Sequence, residues 1–246
     1  MNDRNVILGL DTSEQKASLC LLKEDKVLCE HSFFSQKQQL ERLVPSLQWL
    51  LEQNECSLSD ISAIGITTGG GSFTGLRLGL STVKAMAYAL NIPVVGVPTL
   101  DAMAFGMASQ TGLYLPLLDV RRKQVCGALY DVRPAGTEKL NTADDTIKTF
   151  LALTFHRLTG YFSCHPSEIT SLLSHEQCAS RIVVFGSALN TYEETLRRIF
   201  LNSIFIMEGR MPIAASAAVY AREKIKNESI SPESVFKISL TYSHTP

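Results

Sequence analysis

Through the first hundred positions, apolar residues come in short runs broken at regular intervals by polar or glycine-rich stretches. Val6 to Leu10, Ala17 to Leu22 and Val27 to Phe34 are three such runs, with Lys23-Glu24-Asp25 as the turn between the last two. Runs of this length predict a three-stranded antiparallel opening. From Gln36 to Gln53 the period becomes helical, and Leu40, Leu43, Val44, Leu47, Leu50 and Leu51 fall on one face. Trp49, the single tryptophan, stands nine residues after Leu40, about 180° round the helix, and so is predicted to point away from that stripe. Two readings fit it: a ring lying on its own surface, or an anchor for a partner.

Ile61, Ile64 and Ile66 form a further short strand that runs into Thr67-Thr68-Gly69-Gly70-Gly71-Ser72. The glycines free the backbone to turn, Ser72 or Thr74 can cap a helix, and no helix breaker follows until Pro93. A strand, a glycine loop and a helix N-terminus can hold an anion, and can equally be a tight turn. Neither standard phosphate fingerprint is complete: no Gly-Lys-Ser/Thr ending follows, and Thr74 stands where the third glycine of G-x-G-x-x-G belongs. The phosphate candidates are Asp11, Thr12, Gly69, Gly70, Gly71 and Ser72. Gly75 and Gly79 share one face of the helix, at a cost of roughly 0.8 to 1 kcal/mol each relative to alanine. Close approach of another element, inside the fold or on a partner chain, is the expected offset.

Val94 to Val97 then reads as a strand and Leu100 to Met107 as a helix, after which the pattern starts again. Leu113 to Val120 and Val125 to Val132 predict a hairpin across Arg121-Arg122-Lys123-Gln124, and Asp119 ends its run as Asp11 ends the first. This repetition suggests a duplicated unit, with lobes at 1–108 and 109–246. Pro134-Ala-Gly136 reads as a turn and Asp144 to Arg157 as a helix. Arg181 to Gly186 is an expected strand, Thr191 to Phe200 a helix, Ser203 to Met207 a strand, and Ile213 to Lys226 an alanine-rich helix. Ser239 to Pro246 reads as a short strand and a tail.

Gly69-Gly-Gly-Ser-Phe-Thr-Gly-Leu-Arg-Leu-Gly79 resembles the G-P-G-S-F-T-G-L-R-x-G signature of the TsaB family, also called YeaZ, with Gly70 in place of the usual proline. Ile7-Leu-Gly-Leu-Asp-Thr-Ser13, Asn91-Ile-Pro-Val-Val-Gly96 and Asp119-Val-Arg-Arg-Lys-Gln-Val125 extend the resemblance over about residues 5 to 130. It implies an α/β fold of the duplicated actin, hexokinase and sugar-kinase (ASKHA) type, two lobes each with a mixed sheet flanked by helices. It also implies a non-catalytic role in making threonylcarbamoyladenosine in tRNA, in company with the catalytic subunit TsaD and the ATPase TsaE. On that reading the chain has no cofactor of its own, ATP and metal sit on the partner subunits, and tRNA is met through the complex. TsaD carries an H-x-x-x-H metal motif on its first helix; here Gln36 to Pro45 contains no histidine, and Gln39 stands where many TsaB proteins keep one. The expected partner interface is Glu41, Arg42 and Trp49 on the first helix and Gly75, Leu76, Arg77, Gly79, Leu80 and Val83 on the second, a patch that would also support a homodimer when the chain is alone.

Composition agrees with this picture. Lys+Arg 23 against Asp+Glu 24 gives a formal net charge of −1, so there is no bulk basic field for nucleic acid. No apolar signal region opens the chain and no run of about eighteen apolar residues occurs, so a cytoplasmic protein without membrane attachment is expected. The six cysteines contain no C-x-x-C pair and read as buried thiols of a reducing compartment. Cys164, His165, His175 and Cys178 are a possible metal set, but adjacent Cys-His is not a structural zinc spacing. A second reading of a different class stays open: an ATP-dependent kinase-like or metallopeptidase-like enzyme of the same superfamily, with Asp11, Thr12 and the Gly69 to Ser72 loop as its phosphate grip.

Overall fold

The first unit is assembled on β1 (Val6–Asp11), a strand buried along its whole length. β2 (Lys16–Lys23) pairs antiparallel with it, and β3 (Lys26–Phe34) with β2. On its other side β1 takes β4 (Ile61–Thr67) in parallel, and β4 takes β5 (Val94–Val97), giving the order β3-β2-β1-β4-β5. The computed structural model describes residues 5–34, 39–135, 153–207 and 213–240, without the side chains of residues 39 and 40. Helix α1 (Gln39–Gln53) inserts Leu43, Leu47, Leu50 and Leu51 into the core of this sheet. Val44, expected in the same stripe, is 57% exposed, and Leu40 lies outside the described side chains. Helix α2 (Phe73–Leu90) buries Leu76, Leu80, Val83 and Ala87, and ends where Asn91 enters the left-handed region at φ 53°.

The last part of the chain returns to this unit. Helix α7 (Ile213–Asn227) lies across β1 and β4, and residues 211–241 cluster with 1–102. The expected division at 108/109 is therefore corrected: the C-terminal helix belongs to the first unit. The packing reason is visible in the residue types. Gly9 and Gly65 carry no side chain, so the backbone of α7 approaches them at Ala214 and Ala217. A Cβ on Gly65 would stand only 2.8 Å from the Ala217 carbonyl carbon and 2.9 Å from Ala221 Cβ. Arg222, nearly buried, anchors the far end of α7 by pairing with Asp25 and donating to the Glu24 carbonyl at 2.7 Å, in the β2–β3 turn. Helix α8 (Ser234–Lys237), absent from the sequence expectation, buries Val235, and Ser234 brackets Val94, accepting from its N–H and donating to its carbonyl, both at 3.1 Å.

The second unit comprises the described residues between 103 and 210; α3 (Thr99–Met107) runs across the sequence position where it begins. Its sheet, in the order β10-β7-β6-β11-β12, is built on β6 (Gly112–Asp119), β7 (Val125–Gly127), β10 (Phe162–Cys164), β11 (Ile182–Phe185) and β12 (Ile204–Ile206). The predicted hairpin partner of β6 is split in two. β7 pairs with Leu117–Asp119 and β8 (Tyr130–Pro134) with Gly112–Tyr114, so the strand breaks at Ala128 and Leu129. β9 (Leu153–Arg157) pairs with β8, which corrects the helix expected over 144–157 for its last five residues; 144–152 lie outside the described residues. β11 runs parallel to both β6 and β12, so an antiparallel start followed by parallel strands recurs in each unit. Helices α4 (Ile169–Leu172), α5 (His175–Ala179) and α6 (Leu189–Ile199) complete the described residues, with Leu189 and Leu196 in the core beside Phe200. Among the described residues no helix is long and apolar enough to cross a membrane.

Candidate functional site

β4 delivers the chain to the glycine loop, and Ser72 caps α2 by accepting from the Gly75 N–H at 3.3 Å. The loop turns through Gly70 and Gly71, at φ 79° and 111°, conformations that favour glycine. Gly71 lies directly against Ser13, and the Ser72 N–H donates to the Ser13 carbonyl. The structure thus brings the six phosphate candidates into one neighbourhood, but as a packed seam of two loops.

Asp11 and Thr12 are buried. Thr67 Oγ1 donates to Asp11 Oδ1 at 2.6 Å, and the Ser13 N–H donates to the same oxygen at 3.1 Å. Burial raises the Asp11 pKa, opposed by these hydrogen bonds from Thr67 and Ser13. The Thr12 hydroxyl donates to the Gly75 carbonyl at 2.8 Å across the seam. Thr12 thus ties the end of β1 to α2, and Asp11 ties it to Thr67 of β4, as internal braces of the first unit. Asp11 Oδ2, Ser13 Oγ and Thr99 Oγ1 are buried without a hydrogen-bond partner.

The same seam accounts for the helix glycines. A Cβ on Gly79 would collide with Thr12 Oγ1 and stand 3.1 Å from Leu10 Cδ2. Gly75, Leu76, Gly79, Leu80 and Val83 all lie buried. As partner-interface residues these five are corrected: they close α2 onto the unit's own sheet, the close approach being internal.

The remaining interface candidates are exposed. Glu41 and Arg42 face solvent on α1, Trp49 is 45% exposed, and Arg77 projects from α2 with its guanidinium carbon 3.8 Å from the centre of the Phe73 ring. Trp49 does turn away from the leucine stripe, and its ring leans on His31 of β3 with centroids 4.8 Å apart. His31 in turn stacks on Phe33 at 5.6 Å. His31, Glu41, Arg42, Pro45, Ser46 and Trp49 line a shallow open depression of about 330 Å³. The sequence expectations did not include His31; the period-two alternation of β3, which puts His31 on the face of Phe33, was the signal that could have placed it beside α1.

The residues considered for metal are dispersed in role. Cys164 ends β10, with its thiol pushed up to about 11 by burial and by the nearby Glu168 and Cys126. His165 caps a 3-10 turn by bonding Ser167, while His175 and Cys178 lie on α5. Among the described residues no three His, Cys, Asp or Glu side chains are grouped to hold an ion.

Comparison with known proteins gives this geometry a family. The family model for TsaD, tRNA N6-adenosine threonylcarbamoyltransferase, matches residues 31–180. The TsaB protein of Bacillus subtilis is 35% identical over 127 residues, covering 52% of this chain and 56% of that protein. The Escherichia coli TsaB is 32% identical over 126 residues, covering 50% and 54%. The chain thus spans about half the length of the curated relatives it matches. The fold extends further: YeaZ of Pseudomonas aeruginosa superposes with a TM-score of 0.72 at 19% identity, over 97% of this chain and 99% of that one. A Pseudomonas aeruginosa protein described as similar to peptidase YEAZ gives 0.75 at 20%, over 98% and 100%. With these likenesses the two mixed sheets flanked by helices are the duplicated ASKHA fold, the chain is similar to the TsaB (YeaZ) proteins, and it belongs to the TsaD family.

Proposed function

We propose that this chain is a non-catalytic scaffold subunit required for threonylcarbamoylation of adenosine 37 in tRNAs that read ANN codons. It pairs with a TsaD-like catalytic subunit, and a TsaE-like ATPase joins the assembly; ATP and metal are held by those partners. Alone, the chain forms a homodimer through the same surface. Family membership supports the pathway. The observation that carries the scaffold role is the depression around Trp49: a half-exposed indole beside Arg42 and His31, with Glu41 on its rim, joins an aromatic body to charges of both signs. Such a combination of Trp and Arg suits a binding hot spot. The interface in this proposal is Glu41, Arg42, Trp49, His31 and Arg77, without the five buried α2 positions. Against the kinase-like or metallopeptidase-like reading stands the burial of Asp11 and Thr12, whose hydrogen bonds are made within the protein.

The test is capture of partners by the tagged full chain from its own cells, with bound proteins identified by mass. The wild-type chain is expected to retain a TsaD-like protein, and Trp49→Ala with Arg42→Glu to lose it while keeping the native circular dichroism. Undiminished capture by the folded variant overturns the interface, and ATP turnover by the isolated chain that is lost in Asp11→Asn overturns the non-catalytic role.

A further inference from the structure

We infer that the turn Arg121-Arg122-Lys123 in the second unit is a contact site for the phosphodiester backbone of RNA. The three residues follow β6, at the point where the sequence repeats the strand-then-aspartate pattern of the first unit. All three adopt left-handed backbone conformations, with φ 66°, 52° and 62°. That region is favoured by glycine and tolerated by asparagine and aspartate, so three consecutive long cationic residues there are unusual. Backbone outliers of this kind persist where the surroundings hold them, and they concentrate at functional sites.

The surroundings do hold this one. The Val120 N–H donates to the Gln124 carbonyl at 3.2 Å and the Gln124 N–H to the Arg121 carbonyl at 2.9 Å, closing the turn. Beneath it, Asp119 Oδ1 accepts from the Arg121 N–H at 2.8 Å, Oδ2 accepts from Thr191 Oγ1 at 3.0 Å, and the Asp119 N–H donates to Ser187 Oγ at 3.2 Å. The one carboxylate under the turn is thus directed at a backbone N–H and a hydroxyl, and leaves the three cations to face solvent. Arg121, Arg122 and Lys123 are all exposed, and none of their side chains makes a hydrogen bond or ion pair among the described residues.

Three adjacent like charges on a strained turn repel one another, which favours binding of an anion between them. Two guanidinium groups select phosphate, because each presents a planar fork that matches two phosphate oxygens. The formal net charge of −1 does not oppose this, since the contact is local and does not depend on a field over the whole surface. The choice of RNA over a free polyphosphate rests on the tRNA-modification reading above; the phosphate site itself does not.

The test uses the full chain and fluorescently labelled bulk tRNA, with binding followed by anisotropy between 50 and 200 mM salt. Arg121→Asn/Arg122→Asn/Lys123→Asn removes the charge with a residue that accepts the left-handed conformation. Loss of three phosphate contacts is expected to weaken binding and to remove about 20- to 40-fold of the salt sensitivity across that range. Arg121→Lys/Arg122→Lys, which keeps the charge but not the forks, is expected to retain the salt dependence at reduced affinity. Equal affinity and equal salt dependence in the asparagine variant overturn the proposal. So does wild-type binding that fails to reach a dissociation constant of about 100 µM at 50 mM salt, the weak end of ordinary nonspecific association. Calorimetry with pyrophosphate separates the sources: a pyrophosphate complex lost in the variant while tRNA binding is unchanged assigns the turn to a small polyphosphate and overturns RNA. Partner capture by the wild-type chain keeps the two readings distinct. A chain that binds tRNA through this turn but captures no partner sustains the site and removes the scaffold role.

Discussion

Gly65→Ala should strongly destabilise the protein, although the local backbone preference points the other way. In a strand interior, alanine is favoured over glycine by about 0.5 to 1 kcal/mol, so a freely exposed position would gain stability. Here the added methyl would meet the Ala217 carbonyl, with its carbon at 2.8 Å and Ala221 Cβ at 2.9 Å. Both belong to α7, so no side-chain rotation relieves the contact and the whole helix must retreat. A gap of about 0.5 to 1 Å forfeits a quarter to a half of the dispersion between packed atoms, and α7 sets Ala214, Ala217, Ala218 and Ala221 beside Gly9 and Gly65 of this unit. Overpacking of this kind costs about 1 to 3 kcal/mol, and rigid backbone puts it at the upper end; against the local gain, a net loss of about 2 kcal/mol is expected. At about 2–4 °C per kcal/mol for a chain of this size, the midpoint should fall by roughly 4 to 8 °C in thermal unfolding followed by circular dichroism. Gly160→Ala is the control, since nothing lies within 4 Å of its added Cβ. A Gly65→Ala midpoint equal to or above that of the control would refute the close packing of α7 on β4.

Gly79→Ala sets two terms against each other. The helix gains about 0.8 to 1 kcal/mol, but Thr12 must move and its buried hydroxyl loses the Gly75 carbonyl, a penalty of about 1 to 3 kcal/mol. Urea titration should find a net loss, and the same substitution in a Thr12→Ala background should be neutral or stabilising; an additive cycle would rule the contact out. Glu30, half-buried on β3, has its carboxyl pKa raised by burial to about 7. A raised folded-state pKa means the native protein binds the extra proton, so this contribution to stability is present below about pH 4.5 and is lost as pH rises toward 7. Glu30→Gln should therefore stabilise more at pH 8 than at pH 5 in chemical denaturation, and parallel pH profiles would count against it. Arg222→Met should cost more than Asp25→Asn, because Arg222 is nearly buried and also serves the Glu24 carbonyl, whereas Asp25 is largely exposed and regains water; equal losses in thermal unfolding would contradict this.

The reading of individual elements held where the pattern was local. Short apolar runs marked β1 to β5, the leucine stripe marked α1, and the Gly69–Gly71 loop with Ser72 marked the start of α2. Each of these depends on neighbours within a few residues, which a single chain displays directly. Readings that depended on a distant partner were less secure. Val125 to Val132 looked like one strand because its apolar content is continuous, yet β6 is paired by two separate pieces of it. For residues 153–157 a helix was expected, and pairing with β8 made them a strand. Trp49 was placed on the outer face of α1 by its angle alone, but its neighbour His31 came from a different element and was missed.

By itself the sequence determined the element order of about the first hundred residues, the glycine turn with its capped helix, the duplicated strand-first pattern and the family signature, since all of these are written in residue spacing along one helix or strand. The tertiary structure alone decided what the special residues face. Gly75 and Gly79 share a side of α2 under any fold, but only the position of Thr12 shows that the side is internal. Gly9 and Gly65 are interruptions in two apolar runs until α7, about 150 to 200 residues later in the chain, is laid against them. A periodic pattern specifies that a face is buried or bare, and the identity of what covers it depends on contacts between segments far apart in sequence, which no local spacing encodes.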